Sequence, residues 1–160
     1  MVAAPAPSPS VDGCPYAARV PTRWNDNDVY GHVNNTVHYL AMDTVVNAWL
    51  IDHGLDVERG KQIGLVVESG CRYLAPVTYP DALVLGLRIS RLGSSSVRWE
   101  IAMDRESDGA RVAEGHFVHV FVDRQSRRPA PVPPELRAAM GALVIDDGPA
   151  EGQDGSGSEI

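Results

Sequence analysis

The stretch RWNDNDVYGHVNNTVHYLAMDTVVNAWLIDHG, Arg23 to Gly54, decides how this chain folds. Asp26 and Asp28 stand two apart, and Gly31 permits a tight turn after them. Asn34 or Asn35 can cap a helix that starts there. The following residues contain no proline, and Gly54 supplies a C-terminal stop. Val37, Leu40, Ala41, Thr44, Val45 and Ala48 keep the i, i+3, i+4 rhythm of a helix. Tyr39, Met42, Val46, Trp49 and Leu50 make most of the remaining surface apolar, so the spacing predicts a helix enclosed within the fold. Its polar exceptions, Thr36, Asp43 and Asn47, fall within roughly 40° of one another at 100° per residue. Asp43 is thus a carboxylate on an apolar helix, a setting in which such groups are paired or functional.

The turn before the helix admits two readings. Asp, Asn and Gly fill ordinary turns for local reasons, and the motif can be only a polar turn with a cap. It can also aim a carboxylate at a helix N-terminus, where free N–H groups stabilise an oxyanion while the carboxylate attacks a carbonyl or activates water.

Outward from this stretch the periodicity changes from 3.6 to 2. Leu65–Ala75, Ala82–Leu92, Ser95–Asp104 and Arg111–Asp123 read as strands, and Ala18–Trp24 as a shorter one before the acidic turn. In SVRWEIAMD, Val97, Trp99, Ile101 and Met103 face one way and polar residues the other, as in a half-solvated antiparallel strand. Turn residues at Pro80-Asp81, Gly93-Ser94 and Ser107-Asp108-Gly109 separate the strands. PPELRAAMGAL reads as a short helix with proline at its start. One strand, a helix and four strands with short links describe an α+β domain whose antiparallel sheet curls around the helix.

Composition narrows the function. The chain has 160 residues and a formal net charge of -7, which fits one domain and argues against nucleic acid as the main partner. No apolar run approaches membrane-spanning length. Residues 1–17 read as a flexible tail without signal-peptide features. Residues 18–145 form the expected domain, and the acidic, glycine-rich 146–160 an expected disordered tail. Two cysteines make no disulfide framework, so a reducing, cytoplasmic setting is expected. His116 and His119, three apart on a strand, face opposite sides, and no Cys/His spacing suits zinc. No GxSxG, GxGxxG or Walker pattern occurs. Neither a metal nor a redox cofactor is expected.

DNDVYGHVNN (Asp26–Asn35) followed by Tyr39-Leu40 resembles the hotdog-fold acyl-CoA thioesterases of the 4-hydroxybenzoyl-CoA thioesterase type. ESGCRYLAPVTYPDAL (Glu68–Leu83), RLGSSSV (Arg91–Val97) and VDRQSRRPAPVP (Val122–Pro133) add to the likeness, which covers roughly Ala18 to Met140. The resemblance implies an antiparallel sheet wrapped around a long central helix and hydrolysis of acyl-CoA to free acid and CoA. Relatives on this fold also include dehydratases and non-catalytic ligand-binding regulators, so a non-catalytic acyl-CoA-binding protein stays open as the alternative. Asp28 matches the family's catalytic aspartate, and Asn35 the position whose backbone N–H binds the thioester carbonyl. Asp43 falls where another branch keeps its carboxylate. Asp26 reads as bracing the turn, and His32 as orienting it. Gly31, His32 and Tyr39 are expected to border the substrate, with Arg91, Ser94, Ser95 and Ser96 holding the CoA phosphates. A single sheet leaves an edge uncovered, and the resemblance implies a homodimer or homotetramer with the site at the subunit interface.

Overall fold

The computed structural model describes residues 11–145. Its elements run β1 (Tyr16–Pro21), a 3₁₀ turn (Trp24–Asp26), α1 (Asn35–Asp52), β2 (Gln62–Tyr73), β3 (Ala82–Leu92), β4 (Ser96–Arg105), β5 (Arg111–Asp123) and α2 (Pro134–Gly141). The five strands form one antiparallel sheet in the order β1-β3-β4-β5-β2. β3, β4 and β5 are joined as hairpins, whereas α1 is inserted between β1 and β2 and sends those two strands to opposite edges.

Alternation assigns the faces. Leu83, Leu85, Leu87 and Ile89 of β3, with Val97, Trp99, Ile101 and Met103 of β4, are buried on the inner face. Ala41, Met42, Val45, Val46, Trp49 and Leu50 of α1 pack onto them. Met42 of the helix lies directly over Gly115 of β5. A Cβ there would stand 2.2 Å from the Met42 sulfur, so glycine is what lets the helix sit down on the sheet. The outer face carries ion pairs, among them Arg98 with Glu68 and Glu100.

α1 starts at the Asn34 cap, whose Oδ1 accepts from the Thr36 N–H at 2.9 Å. It ends in a Schellman arrangement: Gly54 N–H donates to Ile51 O at 3.0 Å and Leu55 N–H to Leu50 O at 2.9 Å. Gly54 takes a φ of 98° there, which suits glycine. The enclosed helix read from the sequence needs correction for the single chain. One face of α1 is buried, but Leu40 and Ile51 are 52% and 50% exposed.

The bounds of β1 and β2 also move: β1 stops at Pro21 rather than Trp24, which enters the 3₁₀ turn, and β2 stops at Tyr73 rather than Ala75. Ordered structure begins before Ala18: β1 starts at Tyr16, and Val11 is only 2% exposed. Val11 and Cys14 lie over Gly86, where a Cβ would come within 2.7 Å of both side chains. Residues 11–17 therefore do not belong to a flexible tail; residues 1–10 and the acidic segment 146–160 lie outside the described residues. β2 begins at Gln62, three residues before the expected start, and its pairing with β5 slips between Val66 and Glu68. This bulge at Val67 restores the inward aim of Ser69, Cys71 and Tyr73 after Gly64 and Val66.

Candidate active site

The site is built where the loop after β1 meets the loop after β2. Asp26 is buried and braces the first loop. Its carboxylate accepts from the Arg23 backbone N–H at 2.7 Å and from Arg23 Nη2 at 2.8 Å. Burial pushes this carboxyl up, but those hydrogen bonds and the guanidinium charge outweigh it and hold the group below its ordinary value. The Asp26 carbonyl accepts from the Asn34 N–H at 2.8 Å, tying the loop to the helix cap.

Between these anchors the chain closes on itself. Asp28 N–H donates to His32 O at 2.8 Å and Gly31 N–H to Asp28 O at 3.1 Å. Gly31 has a φ of 84°, which explains glycine at this corner. The Asp28 carboxylate is fixed by its own turn, Oδ1 accepting from the Tyr30 N–H at 2.8 Å. The second loop is stitched alongside: Val33 N–H donates to Val77 O at 2.7 Å, and the Thr78 hydroxyl to Gly31 O at 3.1 Å.

A cavity of about 490 Å³ opens at this junction, and Asp28, Tyr30, His32, Asn35, His38 and Tyr73 line it with the apolar Val33 and Val77. Asn35 is the first residue of α1. Thr36 N–H is taken by the Asn34 side chain and Val37 N–H by Asn34 O. Helix geometry leaves the Asn35 N–H without an intrahelical acceptor, a donor at the positive end of the helix.

Asp28, His32 and Asn35 thus line one cavity, with Gly31 in the same turn. Other expected residues lie elsewhere in the single chain. Tyr39 is partly buried against the core. Asp43 lies eight residues beyond Asn35, about 12 Å along the helix, and is exposed, with Asn47 donating to it at 3.0 Å. Arg91 and Ser94–Ser96 sit at the far end of β3, about 30 Å from its start at Ala82. Their turn is tied to the C-terminal segment, since Val132 N–H donates to Ser94 O and Phe121 N–H to Ser95 O.

The sequence reading missed His38 and Tyr73. His38 is buried and borders the cavity. Burial lowers its pKa, and its Nδ1 lies 3.3 Å from Asn34 O, which puts the proton of the neutral ring on Nδ1. Tyr73, its edge-to-face neighbour, donates its hydroxyl to Asn35 O at 3.3 Å. Burial first, then Cys71, pushes this phenol up to about 12, so it stays protonated. The sequence signal for His38 is its place three residues after Asn35, on the same side of the helix.

Among the described residues no group of three or more His, Cys, Asp or Glu could hold a metal ion. No helix among them is long and apolar enough to cross a membrane.

Comparison with known proteins places this geometry in a family. A crystal structure of the PA5185 protein of Pseudomonas aeruginosa is 50% identical, with a TM-score of 0.79 over 82% of this chain and 92% of that one. A thioesterase of Thermus thermophilus, crystallised with coenzyme A and zinc, is 32% identical, with a TM-score of 0.70 over 83% of this chain and 96% of that one. The L-carnitine dehydrogenase/betainyl-CoA thioesterase of Agrobacterium fabrum is 29% identical across 81% of this chain, which spans only 27% of that larger protein. The thioesterase-like superfamily matches residues 22–140. The chain belongs to that superfamily, as a hotdog-type thioesterase.

Proposed function

We propose that this protein hydrolyses acyl-CoA thioesters to the free acid and CoA, with Asp28 as the working carboxylate. The observation that carries the reading is the convergence of Asp28, His32 and Asn35, the first residue of α1, on one cavity. The thioester carbonyl oxygen accepts from the Asn35 N–H, which lies at the positive end of α1. A donor so placed contributes about 3–4 kcal/mol as negative charge develops on that oxygen. Asp28 then attacks the carbonyl carbon or takes a proton from an attacking water. In the first case the C–S bond breaks, the thiolate of CoA leaves, and water cleaves the mixed anhydride to release the acid and restore the carboxylate. Asp43, further down the helix, orients water or the acyl group.

The reading includes a homodimer at least, with the site completed at the interface, and a cytoplasmic location. β2 lies at the sheet edge and exposes Val67 at 62%, and a second copy would cover it and the open side of α1. A self-paired β2 also brings the partner's β3–β4 turn to the Asp28 end, where its Arg91 and serine hydroxyls meet the CoA phosphates.

Free-thiol release from a panel of acyl-CoAs tests the activity. Turnover of at least one ester is expected. Tight binding without release on every ester would favour a non-catalytic acyl-CoA-binding protein instead.

A further inference from the structure

We propose that His38 is a second catalytic residue, the base that activates water to release the acid once Asp28 has taken up the acyl group. The inference rests on the thioesterase reading of the Asp28 site and commits that site to the covalent route.

The chemistry sets the requirement. A free Asp28 carboxylate can attack a carbonyl carbon or accept a proton. Once one of its oxygens is bonded to the acyl carbon, the group carries no charge and no longer serves as a base. A second proton acceptor must then stand in the same cavity. Asp43 is about 12 Å along the helix from Asn35. The Tyr73 phenol, pushed up to about 12, is protonated and donates to Asn35 O. His32 stands exposed on the turn, whereas His38 is 4% exposed and lines the cavity.

The backbone aims His38 at this task. Side chains on a helix lean towards its N-terminus, so a residue three after Asn35 reaches back to the end that carries the Asn35 N–H. The His38 Nδ1 lies 3.3 Å from Asn34 O. A carbonyl oxygen only accepts, so Nδ1 carries the proton and Nε2 keeps a lone pair. Tyr73 meets the ring edge to face, with centroids 5.2 Å apart, and fixes its plane. Among the described residues Nε2 has no hydrogen-bond partner. The buried side-chain atoms left without one are Trp99 Nε1 and His119 Nδ1, so Nε2 of His38 opens onto the cavity. Burial lowers the pKa of the ring below the usual histidine value, and no charged side chain takes part. The titratable groups that share the cavity with it are Asp28, Tyr30, His32 and Tyr73.

Water gives a proton to Nε2 as its oxygen bonds to the acyl carbon of the anhydride. The bond from that carbon to the Asp28 oxygen then breaks, and its electron pair restores the carboxylate. The acid leaves, and the imidazolium passes its proton to solvent.

The test uses the full chain. His38→Asn keeps a donor for Asn34 O, and His38→Gln keeps polar atoms at the place of Nε2; neither is basic. On the best acyl-CoA each is expected to release close to one CoA thiol per site in a rapid burst. Turnover should then continue roughly 10²-fold or more below wild type. Hydroxylamine attacks an anhydride without a base, so it should speed the slow phase and appear as the acyl hydroxamate. Loss of the burst together with turnover overturns the proposal and makes His38 structural. Turnover near wild type in both variants overturns it as well. Should neither variant fold, the wild type decides: hydroxylamine should divert part of the product to hydroxamate without slowing thiol release. Acid as the only product there excludes the anhydride and the step assigned to His38. A wild type inert on every acyl-CoA removes the thioesterase reading itself and this inference with it.

Discussion

The Asn34 N–H donates to the Asp26 carbonyl at 2.8 Å, and this bond clamps the acidic loop to the helix cap beside it. The cap and the Gly31 turn are therefore one unit, with Asp28 between two fixed points. Asp26 holds the other end through Arg23.

Asp26→Ala removes a buried acceptor of charge-assisted bonds. It should lower stability by about 1.5–3 kcal/mol and disorder the turn, so chemical denaturation and kcat should fall together. Asp28→Ala should leave the denaturation midpoint closer to wild type, since Asp28 is less buried.

Packing of α1 on the sheet gives a second prediction. Gly115→Ala forces Met42 or the helix to shift, given the 2.2 Å approach, and should cost about 1–3 kcal/mol as overpacking. Thermal unfolding measures it. Gly64→Ala, with ordinary contacts only, should be milder.

Acid stability should depend on His119. It is 2% exposed, its Nδ1 has no hydrogen-bond partner, and burial lowers its pKa from 6.5 to about 4, with Asp43 opposing weakly. The folded state therefore disfavours the proton that the unfolded chain accepts. The stability tied to the neutral ring is complete above pH 6.5 and is lost as pH falls towards 4. By linkage it is worth on the order of 3 kcal/mol. Denaturation at pH 7 and pH 4.5 should show the loss, and His119→Leu should flatten that part of the profile.

Arg91→Ala tests the phosphate grip. The Michaelis constant for full CoA esters should rise by roughly a few-fold to tens-fold, as loss of a charge-assisted contact predicts. A pantetheine ester without the nucleotide should respond far less. Equal losses on both would show that Arg91 does not meet the phosphates.

Much of this was legible in the sequence because local rules suffice for it. The ends of β3 and β5, the inward set Val97, Trp99, Ile101 and Met103, and the turn at Gly31 follow from alternation and turn chemistry. What was not legible depends on neighbours distant in sequence. Apolar Leu40 reads as core, but composition does not say whether a helix face is covered by its own sheet. The bulge at Val67 leaves no mark in an apolar run, so the aim of Tyr73 into the site was hidden. Alternation gives the face of Arg91 but not its end of the sheet, which is why its distance from Asp28 appeared only in the fold. Val11 looked like tail because its partner, the bare backbone at Gly86, carries no side chain to announce a contact.

The central claim is that Asp28, beside the Asn35 N–H, carries out the chemistry. The most direct test is kcat for Asp28→Asn and Asp43→Asn on the best acyl-CoA, with binding of a non-hydrolysable CoA analogue as control. Asp28→Asn should lower kcat by roughly 10²–10⁴-fold, the scale for a positioned base or nucleophile, and keep analogue binding, while Asp43→Asn costs less. An Asp28→Asn enzyme near wild type, with Asp43→Asn inactive, would contradict the account and move catalysis onto the helix.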